Sequence, residues 1–176
     1  MMNPRTIVNS LTFSRIIFSL IFAYVILFYN SNLSYLSLIF LLIMFSDYFD
    51  GKLARRLNVA SDKGGIFDVL TDFFFIMISS ISLAIVGLLP FWIILFIIIK
   101  MIEFFKTSKK SSSNLYYDKF GHLVSLMFYA LPIFTVIFYS LMPISVFYIL
   151  INIICLIIAI SAVISTYLRI KFIKNS

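Results

Sequence analysis

Long apolar runs dominate the chain, and short polar connections separate them. A helix needs about 20 residues to cross the roughly 30 Å hydrocarbon layer of a bilayer, and each run approaches that length. The pattern therefore predicts six membrane-spanning helices, near residues 12–29, 34–50, 65–87, 90–107, 121–140 and 144–168. Asn3 and Pro4 resemble a helix N-terminus, so we also expect a short juxtamembrane helix ahead of the first span.

Composition supports an integral membrane protein. The 176 residues are 62% hydrophobic and 12% charged, with a mean hydropathy of +1.11. Soluble domains carry roughly 25% charged residues, so a water-soluble enzyme and a disordered tail are excluded. The single cysteine, Cys155, excludes an intrachain disulfide. Because the connections are short, residues 1–176 are expected to form one all-α transmembrane domain.

The positive charge indicates topology. The formal net charge is +7, and the connections at 30–33, 87–90 and 140–143 carry no charge, whereas the other connections and both chain ends are basic. By the positive-inside rule, the basic side and both termini are predicted to face the cytoplasm from a multi-pass position in the cell membrane. This clustering between apolar runs argues against a nucleic-acid partner.

Four aspartates fall within or beside the apolar helix patterns. Asp47 and Asp50 are three residues apart near the end of the second span, and Asp68 and Asp72 are four apart near the start of the third. An ionised Asp within a membrane span costs at least about 2.5–3.5 kcal/mol, so each of these needs a partner. Spacings of three and four put each pair on one helical face. If the two spans are antiparallel neighbours, the pairs converge into a four-carboxylate cluster.

Divalent cations are the simplest partners for such a cluster. Four carboxylates in a pocket of low dielectric repel one another unless cations neutralise them. All-oxygen ligands favour Mg²⁺ or Mn²⁺, and four carboxylates suffice for two ions, an arrangement used for displacements at phosphorus. Two alternatives stay open: salt bridges to Arg55, Arg56 and Lys63, or a proton or cation pathway in a small transporter.

The order of residues from 47 to 72 is more specific. Asp47 and Asp50 are followed by Gly51, Ala54 and Arg55, and after eight further residues come Gly64, Asp68 and Asp72. This resembles the signature of the CDP-alcohol phosphatidyltransferase family, D-x2-D-G-x2-A-R-x8-G-x3-D-x3-D, with every fixed position filled. The six-helix layout extends the resemblance over most of the chain.

The resemblance implies a role in phospholipid biosynthesis, in which a phosphatidyl group moves from a CDP-lipid such as CDP-diacylglycerol to an alcohol and CMP is released. It further implies that Asp47, Asp50 and Asp68 are the principal metal ligands. Asp72 is expected to complete the second metal site and to act as the general base on the acceptor hydroxyl. The family also implies a homodimer.

Other residues of the signature are expected to bind the CDP-lipid, together with Asp47. Gly51 and Ala54 are small enough for a nucleotide to approach the backbone, although a helix-stop glycine and a packing alanine are the simpler interpretation. Arg55 offers a planar fork to a phosphate, or serves only as a topogenic charge. Gly64 lies just before the third span, where a helix N-terminus suits a phosphate, or it forms a plain turn.

A weaker resemblance lies near the start of the chain, where Asn9, Thr12 and Arg15 follow the N-x-x-T-x-x-R run of the same family. It implies that Asn9 and Thr12 line the cytidine or phosphate pocket. The alternative is an N-cap at an interfacial helix end, with Arg15 extending towards the membrane surface.

The sequence gives the least information about which alcohol accepts the phosphatidyl group. A basic pocket for an acceptor phosphate is expected from Lys106, Lys109, Lys110, Lys119 and His122, although a plain positive-inside cluster accounts for the same residues. Phosphatidylglycerophosphate synthases often carry a G-K-x-K-T-like run before the fifth span, and here His122 follows Gly121 where that run has Lys. The short chain and its basic residues nevertheless resemble that branch, so glycerol 3-phosphate is the expected acceptor.

Other functions are less favoured. Serine, inositol, inositol phosphate and phosphatidylglycerol are alternative acceptors for the same chemistry. A cation or proton transporter would use acids near the midplane of the membrane, whereas these lie near one face. A binding protein without turnover would retain the same four aspartates.

Overall fold

The protein is described by a computed structural model that is all-helical over residues 4–28, 33–56, 62–108 and 119–175, apart from the short turns at 86–91 and 142–143. Within these helices, the structure does not describe the side chains of residues 4–9, 11, 33–34, 47, 50–51, 53–56, 62–63, 107–108, 119 and 172–175. The six helices are α1 (Pro4–Phe28), α2 (Leu33–Arg56), α3 (Asp62–Ile85), α4 (Trp92–Ser108), α5 (Lys119–Leu141) and α6 (Ile144–Asn175). The described residues thus form one helix at each of the six apolar runs, and the prediction that all six cross the membrane stays a prediction.

Three of the helices are long and apolar enough to cross a bilayer over their described residues: Gly64–Ile85, Phe120–Leu141 and Ile144–Lys171. Shorter apolar stretches cover Thr12–Phe28 in α1 and Tyr35–Ser46 in α2. These helices make the chain a membrane protein.

The N-terminal segment differs from the prediction. Pro4 to Phe28 form one continuous helix, so the separate juxtamembrane helix expected ahead of the first span is not formed. Proline fits the first turn of a helix, and no glycine or further proline follows in α1 to interrupt it. At 1.5 Å per residue, the 25 residues extend about 37 Å, which exceeds the roughly 30 Å hydrocarbon thickness by between one and two turns.

The second and third helices also extend beyond the predicted spans. α2 continues to Arg56, six residues past the predicted end, so Gly51 does not stop the helix. α3 begins at Asp62, which puts Gly64 inside its first turn rather than before the helix. The polar residues at the end of α2 and at the start of α3 are therefore helical. Apolar periodicity alone does not detect such polar turns.

The chain divides into two compact units, 1–86 and 87–176. In the first unit, α1 packs extensively against both α2 and α3. The rings of Phe22, Phe40 and Phe75, one from each helix, meet in its buried core, with ring centroids 5.6 Å apart for Phe22 and Phe75 and 5.9 Å apart for Phe40 and Phe75. This aromatic cluster fixes the register of the three helices.

In the second unit, α6 packs against both α4 and α5. A short connection through Met142 and Pro143 joins α5 to α6, and the ring of Tyr139 lies against that of Phe147 across it. Between α3 and α4, Gly87 has a φ of 78°, a left-handed conformation that glycine adopts without a steric penalty.

Candidate functional site

The described part of the site begins with two aspartates on α3. Asp68 and Asp72 are one turn apart, and their side chains are 37% and 32% exposed. They lie in the first half of the helix, before its apolar second half, which includes Phe75 and Ile76 in the buried core. Two partly exposed carboxylates on one helical face can bind a cation from the solvent side.

Arg15 of α1 reaches both carboxylates. Its Nη1 donates to Oδ1 of Asp68 at 2.8 Å and to Oδ1 of Asp72 at 2.7 Å. The Arg15 side chain is fully buried. The alternative in which Arg15 extends towards the membrane surface is therefore wrong, because the two acids on α3 provide partners for its buried guanidinium.

Thr71 links the same groups. Its hydroxyl accepts a hydrogen bond from Nη1 of Arg15 at 3.1 Å and donates to the backbone carbonyl of Asp68 at 2.7 Å. Thr71 is buried, so its hydroxyl needs both partners. This residue holds the guanidinium in place between the two aspartates.

The end of α2 that carries the first residues of the family signature, from Asp47 onwards, lies beside the part of α1 that carries Arg15. The hydroxyl groups of Ser14 and Ser46 are hydrogen-bonded at 3.2 Å, and Asp47 directly follows Ser46 in the helix. The backbone of α2 at Asp47 therefore lies next to the α1 segment that carries Arg15. The side chains of Asp47 and Asp50 are outside the described residues, so the four-carboxylate cluster stays a prediction of which the structure describes two members.

For the remaining positions of the signature, the structure mainly describes the helix backbone. Helical spacing puts positions 47, 50, 51 and 54 on one face of α2, and Arg55 follows in the last turn of that helix. The side chains of Ala54 and Arg55 lie outside the description. Gly64 is half-buried in the first turn of α3. The fixed residues of the signature thus lie in the second half of α2 and the first half of α3, and both helices pack against α1.

The two positions predicted at the start of the chain lie on α1. Thr12 is buried and precedes Arg15 by one helical turn, on the same face. Asn9 is one further turn away, and its side chain is outside the described set. Thr12 therefore lies close to the described carboxylate site.

The predicted acceptor residues belong to the second unit. Lys106 is exposed near the end of α4, and His122 is exposed near the start of α5. The side chain of Lys119 is not described, and Lys109 and Lys110 lie in a segment outside the described residues. No described contact brings these residues into one pocket, and the acceptor site stays a prediction.

A second polar cluster, which sequence reasoning missed, connects α4 and α6. Nζ of Lys100 donates to Oε2 of Glu103 at 2.8 Å and to the hydroxyl of Ser165 at 2.9 Å, and the hydroxyl of Thr166 donates to the same Glu103 oxygen at 2.5 Å. Both charged side chains are about nine-tenths buried. The three-residue spacing of Lys100 and Glu103 was the available signal, but only the fold identifies their partners on α6.

The two described carboxylates of the site, Asp68 and Asp72, suit a hard divalent cation. Asp68 and Asp72 supply only carboxylate oxygens, and each side chain retains an exposed part. Among the side chains that the structure describes, no three aspartate, glutamate, histidine or cysteine residues form a metal-binding group. A complete site therefore needs further ligands, and Asp47 and Asp50 on the neighbouring α2 are the acids available.

The described residues thus include long apolar helices, and α3 carries two carboxylates that contact Arg15 of α1. The profile of the CDP-alcohol phosphatidyltransferase family matches residues 5–171, nearly the whole chain. The chain belongs to this family. It is therefore a membrane transferase of phospholipid synthesis, whose reaction moves a phosphatidyl group from a CDP-alcohol. No curated protein sequence matches the chain significantly.

Proposed function

We propose that the chain transfers the phosphatidyl group of CDP-diacylglycerol to the hydroxyl of glycerol 3-phosphate and releases CMP. The observation that carries this proposal is the contact of α1 with Asp68 and Asp72, next to the signature end of α2. In this reaction the acceptor oxygen forms a bond to the phosphatidyl phosphorus, and the bond from that phosphorus to the oxygen of CMP breaks.

In this proposal, Asp47, Asp50, Asp68 and Asp72 would hold two Mg²⁺ or Mn²⁺ ions. When bound, the ions would neutralise the pyrophosphate and stabilise the leaving CMP. Asp72 takes the proton of the acceptor hydroxyl as general base, a role that its exposed part permits.

The CDP-lipid is proposed to bind along the signature. Gly51 and Ala54 are small and would let the cytidine approach α2, and Arg55 and Gly64 would contact phosphate oxygens. Asn9 and Thr12 of α1 complete this side, since Thr12 is one turn from Arg15. Asp47 contributes to this binding as well as to the metal site.

The proposed setting is the cell membrane, with six spans, both termini and the active site on the cytoplasmic side, and a homodimer. The basic connections support this orientation. A lipid donor with its tails in the bilayer has its pyrophosphate near the headgroup plane, the depth expected for helix ends.

The acceptor is tested by measuring CMP release and lipid product with a panel of glycerol 3-phosphate, serine, inositol, inositol phosphate and phosphatidylglycerol. The basic pocket that the sequence predicts from Lys106, Lys109, Lys110, Lys119 and His122 would favour a phosphorylated acceptor. We expect turnover with glycerol 3-phosphate and formation of phosphatidylglycerophosphate. Turnover with serine or inositol instead would contradict the acceptor assignment and leave the reaction class intact.

Adjacent glycines at the start of α3 provide a matched test of donor binding. A Cβ on Gly65 would meet nothing within 4 Å, so Gly65→Ala is expected to retain activity and to stabilise the helix by up to about 1 kcal/mol. Gly64→Ala is expected to raise the KM for CDP-diacylglycerol about tenfold, because its Cβ occupies the proposed phosphate position. Equal kinetics for the two variants would remove Gly64 from the donor site.

A further inference from the structure

The contact between Arg15 and the two aspartates is unusual in its geometry. A single nitrogen, Nη1, lies within hydrogen-bond distance of Oδ1 of Asp68, Oδ1 of Asp72 and the hydroxyl of Thr71, and its two hydrogens are shared among these three acceptors. Because both carboxylate oxygens contact one atom, they are held close together and in a fixed orientation. Hydrogen bonds to charged groups are shorter and stronger than those between neutral groups, so this clamp is rigid.

The burial of the three charged groups is asymmetric. Arg15 is fully buried, whereas about a third of each aspartate side chain is exposed. The guanidinium thus approaches the carboxylates from the interior of the bundle. A carboxylate has four lone-pair positions on its two oxygens, so one that accepts a hydrogen bond from Arg15 can also contact a metal ion on its exposed side.

Arg15 is itself held by α1 and α3. The buried hydroxyl of Thr71 fixes Nη1, and Ser19 donates to the backbone carbonyl of Arg15 at 2.6 Å, one turn further along α1. The neighbouring residue Ser14 ties α1 to α2 through Ser46. These contacts hold the Arg15 guanidinium through Thr71 and fix the α1 backbone that carries it.

We propose that Arg15 is a positioning residue for the metal site: it fixes Asp68 and Asp72 from the buried side, so that their exposed sides are arranged for a divalent ion before it binds. This inference rests on the proposed function and adds a part of the site outside the 47–72 signature. Arg15 also offsets the repulsion between two carboxylates one turn apart, which otherwise would turn away from one another.

The test measures binding of Mn²⁺ alone to the purified full chain in detergent, from the electron paramagnetic resonance signal of free Mn²⁺. Arg15→Gln removes the charge and the clamp, and we expect Mn²⁺ affinity to fall about 10- to 100-fold, the loss typical of groups that orient metal ligands. Arg15→Lys retains a charged donor and is expected to recover part of this affinity. Lys171→Gln, which removes an exposed cation at the end of α6, is the control and should bind as the parent does.

A milder variant covers the case in which Arg15→Gln does not fold. Thr71→Val keeps the shape of the side chain and the guanidinium but removes the hydroxyl that holds it, and a several-fold loss of Mn²⁺ affinity is expected. Unchanged or tighter Mn²⁺ binding in the folded Arg15 and Thr71 variants would overturn the inference, because a guanidinium that only competes with the metal improves binding when it is removed.

Measurements on the unmutated parent protein distinguish a failure of this inference from a failure of the proposed function. If the parent binds Mn²⁺ and releases CMP while the variants keep its Mn²⁺ affinity, only the positioning role of Arg15 falls. If the parent binds no Mn²⁺, the proposed metal site fails and the role of Arg15 fails with it.

Discussion

Asp72→Asn is expected to lower the rate of phosphatidyl transfer about 10²- to 10⁴-fold while CDP-diacylglycerol still binds. An amide oxygen at this position can accept the hydrogen bond that Nη1 of Arg15 donates to Oδ1 of Asp72 at 2.7 Å, so the local geometry is retained. The amide has no negative charge and cannot take the proton of the acceptor hydroxyl. The loss therefore falls on kcat more than on donor affinity.

The measurement combines CMP release under saturating acceptor with equilibrium binding of CDP-diacylglycerol. Asp62→Asn is the matched control, because Asp62 is the first residue of α3 and lies outside the fixed positions of the signature. We expect that control to keep activity close to that of the parent. Full activity of Asp72→Asn would exclude the general-base role, whatever the metal content of the protein.

The second large effect is expected on the free energy of unfolding, when the buried ion pair of Lys100 and Glu103 is broken. Glu103→Gln leaves the ammonium group of Lys100 buried without a carboxylate, since Glu103 is its ion-pair partner at 2.8 Å. Removal of one member of a buried ion pair costs about 3–5 kcal/mol, which corresponds to a fall of roughly 10 °C in the midpoint of thermal unfolding. Lys100→Met is expected to destabilise the protein similarly, because it leaves Glu103 buried and charged.

The double variant Lys100→Met/Glu103→Gln distinguishes a buried ion pair from two independent contacts. With both charges removed, no unpaired charge is buried, and we expect the midpoint to return most of the way to that of the parent. Lys106→Gln, on the exposed side of the same helix, should change the free energy of unfolding by less than about 0.5 kcal/mol. Additive losses in the double variant would contradict the coupling of Lys100 and Glu103.

The helical runs and the family could be predicted because both have strong local signals. Apolar runs of membrane length predict helices directly, and the spacing from Asp47 to Asp72 identifies the family that the profile match confirms. The ends of α2 and α3 were harder to predict. Polar helical turns that extend past an apolar run carry no hydrophobic period, so Gly51 and Gly64 were placed at helix ends instead of inside helices.

The partners of the charged groups could not be predicted from spacing. Arg55, Arg56 and Lys63 are near the aspartates in sequence and were the expected alternatives for salt bridges, whereas Arg15 is more than fifty residues from Asp68. Its partnership arises from the packing of α1 against α3, which places Arg15 at the level of Asp68 and Asp72. The same reasoning applies to Lys100, whose hydroxyl partners Ser165 and Thr166 are on α6.

The most direct test of the central claim is CMP release by the purified chain from CDP-diacylglycerol, measured with glycerol 3-phosphate and Mg²⁺ and again with either one omitted. The proposed reaction predicts release that requires both, together with a phospholipid product in equal amount. Release of CMP without an acceptor would indicate hydrolysis, and release that persists after chelation of Mg²⁺ would contradict the proposed role of the aspartates.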